Sequence, residues 1–163
     1  EVEPYCVKLF EQRWYMLGMS DKLRIYALDR IKALEPTERK FRLPKKFDAA
    51  KFFEDYYGII ISDDDYDVCP VALLVDAQQS NYLRTLPLHH TQVEVERNDK
   101  YSIFEYRLCP TFDFRQKVLS MGGAIEVLAP QDLVYQMKNE GNGIVVANMF
   151  PEMAYYEFKV YKK

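Results

Sequence analysis

RWYMLGMSDKLRIYALDRI, residues 13–31, sets the reading of the whole chain. Two runs rich in aromatic and branched residues flank a polar break at Gly18, Ser20 and Asp21, which is the pattern of a β-hairpin. Arg24 and Arg30 stand among residues that otherwise suit packing. On an unbroken second strand Arg24, Tyr26 and Leu28 share one face, because side chains alternate along a strand. Arg30 continues that face unless a bulge near Asp29 moves it. Two arginines on a small sheet form either a solvated edge or a clamp for an anion.

Upstream, residues 1–10 alternate around Tyr5, Val7 and Leu9, with Pro4 placed where a strand tolerates it. With the hairpin they make a small, strongly bent antiparallel sheet. Trp14 reads as core, since a large indole near a hairpin start usually packs inside. Downstream, PTERKFRLPKKF (36–47) is a basic connector with Phe41 and Phe47 as apolar anchors. Its Arg39, Lys40, Arg42, Lys45 and Lys46 read as a solvated run, with nucleic acid or a partner as the other possibility. Asp48 suits the N-cap of a helix over 49–57 that carries Phe52, Phe53 and Tyr56 on one stripe, and Gly58 suits its end. Ser62, Asp63, Asp64 and Asp65 form an acidic loop between two apolar runs.

From residue 66 the pattern changes. A continuous apolar strand over 68–75 is followed by a short helix over 80–86 closed by Pro87. Strands over 91–97 and 101–108 flank an Asn98-Asp99 turn. Thr111 opens a helix to Met121, stopped by Gly122 and Gly123. A strand over 124–128 and a helix over 131–140 close the series. This β-α-β-β-α-β order is that of a ferredoxin-like unit. Residues 141–163 lie beyond it, with strand-like runs at 144–147 and 155–161 that read as a β-hairpin. The expected class is α+β, divided into 1–47, 48–65 (helix and acidic linker), 66–140 and a 141–163 tail.

The totals bound what such a chain does. Hydrophobic residues make up 48% and charged residues 29% of 163, which is a globular composition. Thirteen Tyr and ten Phe favour sheets with aromatic cross-strand pairs. Residues 1–55 carry twelve Lys/Arg against ten Asp/Glu, net +2, and residues 56–163 carry ten against fifteen, net −5. A basic first third attracts an anion, while the acidic remainder opposes wrapping of duplex nucleic acid. Cys6, Cys69 and Cys109 have neither zinc spacing nor an even count, so a reducing, cytoplasmic setting is expected. No apolar run reaches the roughly 18 residues that span a bilayer, and no signal peptide shows. The chain starts at Glu1 without Met, which reads as a fragment.

Several motifs line up with one family. Arg13-Trp14-Tyr15-Met16 resembles the Trp-Tyr-Leu signature of WYL domains, with Met16 in place of the Leu. Pro4-Tyr5, Arg24 with Asp29-Arg30-Ile31, and Phe41, Pro44 and Phe47-Asp48 fall where that family has them. The second half resembles the WCX-type extension that often follows a WYL domain. Its landmarks are Pro87-Leu88-His89-His90-Thr91-Gln92, Cys109-Pro110-Thr111 and the run from Gly122 to Pro130. The match covers about residues 3–140. It implies a small Sm-like or SH3-like β-barrel over 1–47 that senses a ligand, usually within a bacterial transcriptional regulator. Three departures stand out. No helix-turn-helix is present, so DNA binding does not carry over. The strand or strands that usually precede Pro4 are absent, and the tail differs from the usual short helical ending.

The candidate ligand-binding residues are Arg24, Arg30, Tyr5, Tyr15 and Lys22. A guanidinium fork suits phosphate bidentately, and tyrosine rings stack a base. The resemblance adds that the corresponding basic and aromatic positions line the family's ligand pocket. In the plain alternative both arginines pair with Asp21, Asp29 or Glu35. His89-His90 and the three aspartates suggest a metal, yet adjacent histidines on a strand point to opposite faces. No GxSxG, P-loop or HExxH appears, and Cys109 has no identifiable base, so neither enzyme nor cofactor is expected. The expectation is a homodimeric ligand sensor, without a membrane, that takes an anionic small molecule or single-stranded nucleic acid. A structural dimerisation module without ligand is the alternative. A metal-dependent hydrolase built on Asp63, Asp64, Asp65 and His89 or His90 comes third.

Overall fold

A computed structural model describes residues 1–61 and 67–140. The acidic loop with its three aspartates and the expected tail hairpin lie outside the described residues. The fold is α+β, with one antiparallel sheet of three strands and one of four.

β1 (Glu3–Phe10), β2 (Arg13–Met19) and β3 (Leu23–Ala27) form the first sheet in that order. Glu11 and Gln12 link β1 to β2 with φ of 45° and 65°. A two-residue hairpin loop with positive φ at both positions favours Asn-Gly, because only such residues enter the left-handed region cheaply. Glu11→Asn/Gln12→Gly is expected to raise stability by roughly 1 kcal/mol, read as a higher urea midpoint at unchanged slope. β2 runs two residues beyond the expected 17, because Gly18 lets the chains approach closely. A Cβ there would lie 2.5 Å from Val2 Cγ1 and 3.3 Å from the Glu3 carbonyl.

Three expectations need correction here. Trp14 is 52% exposed, whereas Leu17 is 1% exposed. Their odd spacing puts them on opposite faces of β2, and the buried face is the one with Leu17. Trp14 instead pairs across the strands with Leu9 on a face that also shows Val7. Second, the strand does not continue to Arg30: Leu28–Arg30 form a single 3₁₀ turn, so alternation does not place that arginine. Third, Phe41 is exposed rather than an anchor, while Phe47 packs edge-on against Tyr5 at 5.0 Å.

The helix expected over 49–57 is one turn, α1 (Ala49–Phe52). Asp48 caps it as expected, with Oδ1 accepting from the Ala50 and Lys51 amides at 3.0 and 3.3 Å. It stops early because Tyr56 forms a bridge with Cys109, and the Cys109 amide donates to the Asp55 carbonyl at 2.8 Å. A long-range partner takes the backbone that the helix would need.

The second sheet follows the alternation closely. β4 (Cys69–Asp76), α2 (Ala77–Thr85), β5 (Val93–Arg97), β6 (Tyr101–Leu108), α3 (Phe112–Ser120), β7 (Ile125–Ala129) and α4 (Gln131–Glu140) succeed one another. The strand order is β5-β6-β4-β7, antiparallel throughout. Val71, Leu73 and Val75 of β4, Phe104, Tyr106 and Leu108 of β6, and Ile125 and Val127 of β7 share one face at period two. Leu83, Phe114, Val118, Leu133, Val134 and Met137 from the helices pack against it. Asp76 caps α2 through the Gln79 amide at 2.6 Å.

Arg84 ties α2 to β5. Its Nη2 and Nε donate to Glu94 Oε1 at 2.6 Å and Oε2 at 3.0 Å, and Nη2 also reaches Ser102 Oγ at 2.9 Å. The guanidinium holds the Glu94 carboxyl down at about 2, below its ordinary 4.5. A carboxyl depressed on folding stabilises fully above its unfolded value and loses that contribution as pH falls toward the folded one. Glu94→Gln is therefore expected to cost about 1–2 kcal/mol at pH 7, with the gap to the parent closing between pH 4.5 and 2 in urea titrations.

Candidate functional site

β3 is an edge strand, and the basic residues cluster along it. Lys22 sits in the turn before it, Arg24 within it and Arg30 at the end of the 3₁₀ turn after it. With Tyr15 of β2 they line one cavity of about 750 Å³. Tyr15 faces Ala27 across the strands, and both line the cavity. Its far wall is Ile59, Ile60 and Ile61.

Arg24 lays its fork on Asp21, Nε to Oδ1 at 3.2 Å and Nη2 to Oδ2 at 2.8 Å. Ser20 Oγ donates to the same carboxylate at 2.7 Å. The Arg24 fork, with the Ser20 hydroxyl, holds the Asp21 carboxyl well below the usual carboxylate range. Asp29 lies 3.5 Å from Arg13 rather than on Arg30. Arg30 is exposed and makes no ion pair with a described residue. Of the plain pairings, then, Arg24 with Asp21 is present and Arg30 with Asp29 is not. Tyr5 lies apart from this cavity: β1 and β3 flank β2 on opposite sides, and the Tyr5 ring supports the connector through Phe47.

The isoleucine wall went unread from the sequence as part of a site, although the apolar run before the acidic loop marked it. Residues 54–60 form a strap between the two sheets. Tyr57 stands edge-on between Phe10 of β1 at 5.5 Å and Phe114 of α3 at 6.1 Å, and burial pushes its hydroxyl up to about 12. Lys8 Nζ donates to the Gly58 carbonyl at 2.6 Å and lies 4.3 Å from the centre of the Phe53 ring. Burial lowers its pKa, and the nearby Asp113 carboxylate opposes that. Asp113 Oδ2 accepts from the Ile59 amide at 2.8 Å and the Ile60 amide at 3.0 Å. Its Oδ1 accepts from the Thr111 hydroxyl and from the Phe114 amide at 2.6 and 2.9 Å. Thr111 thus sits at the N-cap position, but Asp113 does the capping.

The histidines serve the same strap. His89 Nε2 lies 2.9 Å from the Glu54 carbonyl, which can only accept, so Nε2 carries the proton. Nδ1 lies 2.8 Å from Thr91 Oγ1. Burial lowers the His89 pKa, and the neighbouring His90 adds to this. His90 Nε2 stands 3.8 Å from Glu54 Oε1. Among the described residues no three His, Cys, Asp or Glu side chains are grouped to hold a metal ion. Cys6, Cys69 and Cys109 are not in disulfides, and burial pushes the Cys109 thiol up to about 11, which leaves it a poor nucleophile at neutral pH.

Comparison with known families settles the kinship. Residues 1–36 match the WYL domain and residues 67–145 match the WCX domain. The chain carries a WYL domain followed by a WCX domain. No curated protein matches it. Among solved structures it is similar to Proteasome accessory factor B/C (PafBC) of Arthrobacter aurescens, with 18% identity and a TM-score of 0.36 over 83% of this chain. The chain spans only 21% of that protein's chain. Within this WYL–WCX chain the cavity is lined mainly by the WYL sheet, and the strap that walls it is gripped by WCX residues. No described helix is long and apolar enough to cross a membrane.

Proposed function

We propose that the chain is the ligand-sensing part of a bacterial transcriptional regulator. Its WYL cavity takes an anionic ligand, a nucleotide or short single-stranded nucleic acid, through Arg24, Arg30, Lys22 and Tyr15. The observation that carries this reading is the convergence of three cationic side chains and a tyrosine on one cavity of about 750 Å³, a size suited to a nucleotide-sized ligand. Two forks and an ammonium give phosphate both geometry and charge, and Tyr15 offers a ring for stacking. Asp21 occupies the Arg24 fork much as a phosphate would, so ligand competes with an internal carboxylate. Tyr5 plays its part through Phe47 rather than as a base contact.

In this reading the first sheet belongs to an Sm-like or SH3-like barrel within 1–47, joined by 48–65 to a ferredoxin-like domain over 66–140. The β5-β6-β4-β7 order and the β-α-β-β-α-β succession support the second assignment. The protein acts without catalysis, in the cytoplasm and as a homodimer, and reaches DNA only through another domain. Titration of the chain with labelled oligonucleotides and nucleotides at low and high salt tests it. A second reading, a structural dimerisation module without ligand, is favoured by the exposed Val7, Leu9 and Trp14 face. It predicts no binding at any salt and a concentration-dependent dimer in light scattering.

A further inference from the structure

Ile59 and Ile60 are a partition. On one side they line the basic cavity; on the other they line a cleft of about 300 Å³ with Phe10, Phe112, Asp113 and Lys117. Ile59 is half-buried and Ile60 is exposed, so packing alone does not fix the wall, and its backbone hydrogen bonds help to set its position. Both of its amides go to one oxygen, Asp113 Oδ2. Gly58, the residue before it, has no room to move toward α3: a Cβ there would overlap the Asp113 carboxylate and lie 2.7 Å from the Phe10 ring. Asp113 is held in turn by Thr111 and the Phe114 amide on its other oxygen.

We propose that Asp113 of the WCX domain is a positioning residue for the WYL cavity, holding the Ile59–Ile60 wall at the place where ligand meets it. The anion site is then composite: its charges come from β3 and its far wall is set by α3. Ligand that moves the wall pulls on Asp113, which gives occupancy a route to the second domain. The binding half of this inference rests on the ligand reading above; the holding half does not.

Amide hydrogen exchange on the full chain, without ligand, tests the holding half. Asp113→Ala is expected to speed exchange at Ile59 and Ile60 at least tenfold while Leu73 and Phe104 amides in the WCX core stay protected. Thr111→Val, which removes only an Oδ1 partner, is expected to change Ile59 and Ile60 less. Asp113→Asn keeps an acceptor oxygen and is expected to recover most of the protection, which guards against a variant that merely misfolds. For the binding half, a fluorescein-labelled dT oligomer of about ten nucleotides is the probe, and Asp113→Ala is expected to weaken it threefold or more, with Asp113→Asn close to the parent. Unchanged exchange at Ile59 and Ile60 overturns the proposal. So does faster exchange there with unchanged probe affinity, provided Arg24→Ala/Arg30→Ala still weakens the probe. If that double variant binds as the parent does, the ligand reading has failed, and exchange alone decides whether Asp113 holds the wall.

Discussion

Arg24→Ala/Arg30→Ala binds the labelled dT oligomer at least tenfold, and up to about a hundredfold, more weakly than the parent at low salt. Hydrogen bonds from a charged donor to phosphate contribute roughly 1.5–3 kcal/mol each, and both arginines are solvent-exposed, which puts each near or below the low end. The two losses are unequal. Removing Arg24 also strips the fork from Asp21 and leaves a carboxylate at the cavity edge, so repulsion adds to the missing contact. Arg30 makes no ion pair with a described residue, so its removal costs the contact alone. Asp21→Asn is the informative companion, because it weakens the internal competitor and is expected to tighten binding. Salt supplies the second axis. For single strands the slope of log affinity against log salt is about −0.7 per phosphate contact, so the double variant is expected to flatten it by about 1.4. Parent and double variant with equal affinity at every salt concentration would end the site assignment.

Phe114→Ala carries the largest expected loss of stability, about 3–5 kcal/mol, measured as a lower urea midpoint by circular dichroism. The ring is fully buried in the WCX core beside Tyr106, their centroids 6.3 Å apart, and Tyr57 of the strap leans on its other side. Truncation opens a cavity in the core and removes the strap's support in one step. For a chain of this size that is a large fraction of the 5–15 kcal/mol that folded proteins usually hold. Phe114→Leu keeps most of the volume and is expected to lose less than half as much. Equal losses in the two variants would mean that the ring's edge-on contacts, rather than its volume, carry the effect.

The second sheet was largely legible because its evidence is local. β6 spans Tyr101–Leu108 and α4 spans Gln131–Glu140, as alternation and helical spacing indicated. The first sheet was harder. Both of its faces carry apolar side chains, Val7, Leu9 and Trp14 on one and Leu17 on the other, so alternation alone does not say which is inside. The strand order puts β1 and β3 on opposite sides of β2, so Tyr5 stands away from the basic residues on β3, and no local pattern marks that order. The helix expected over 49–57 stops early because Tyr56 bridges Cys109, a partner about a third of the chain away that no local pattern marks. Of the site, the cations could be read as a group. Their wall could not, because Asp113 meets Ile59 and Ile60 only after more than fifty residues of folding.

The row Phe10–Tyr57–Phe114 bears on how such chains can be recombined. The strap contributes the middle ring, yet its neighbours come from β1 on one side and α3 on the other. A cut anywhere between the two sheets therefore separates the strap from one of its holders, Lys8 or Asp113. The WYL and WCX domains are interchangeable modules only if β1, residues 54–60 and the start of α3 travel together. The unit of exchange is the joint itself.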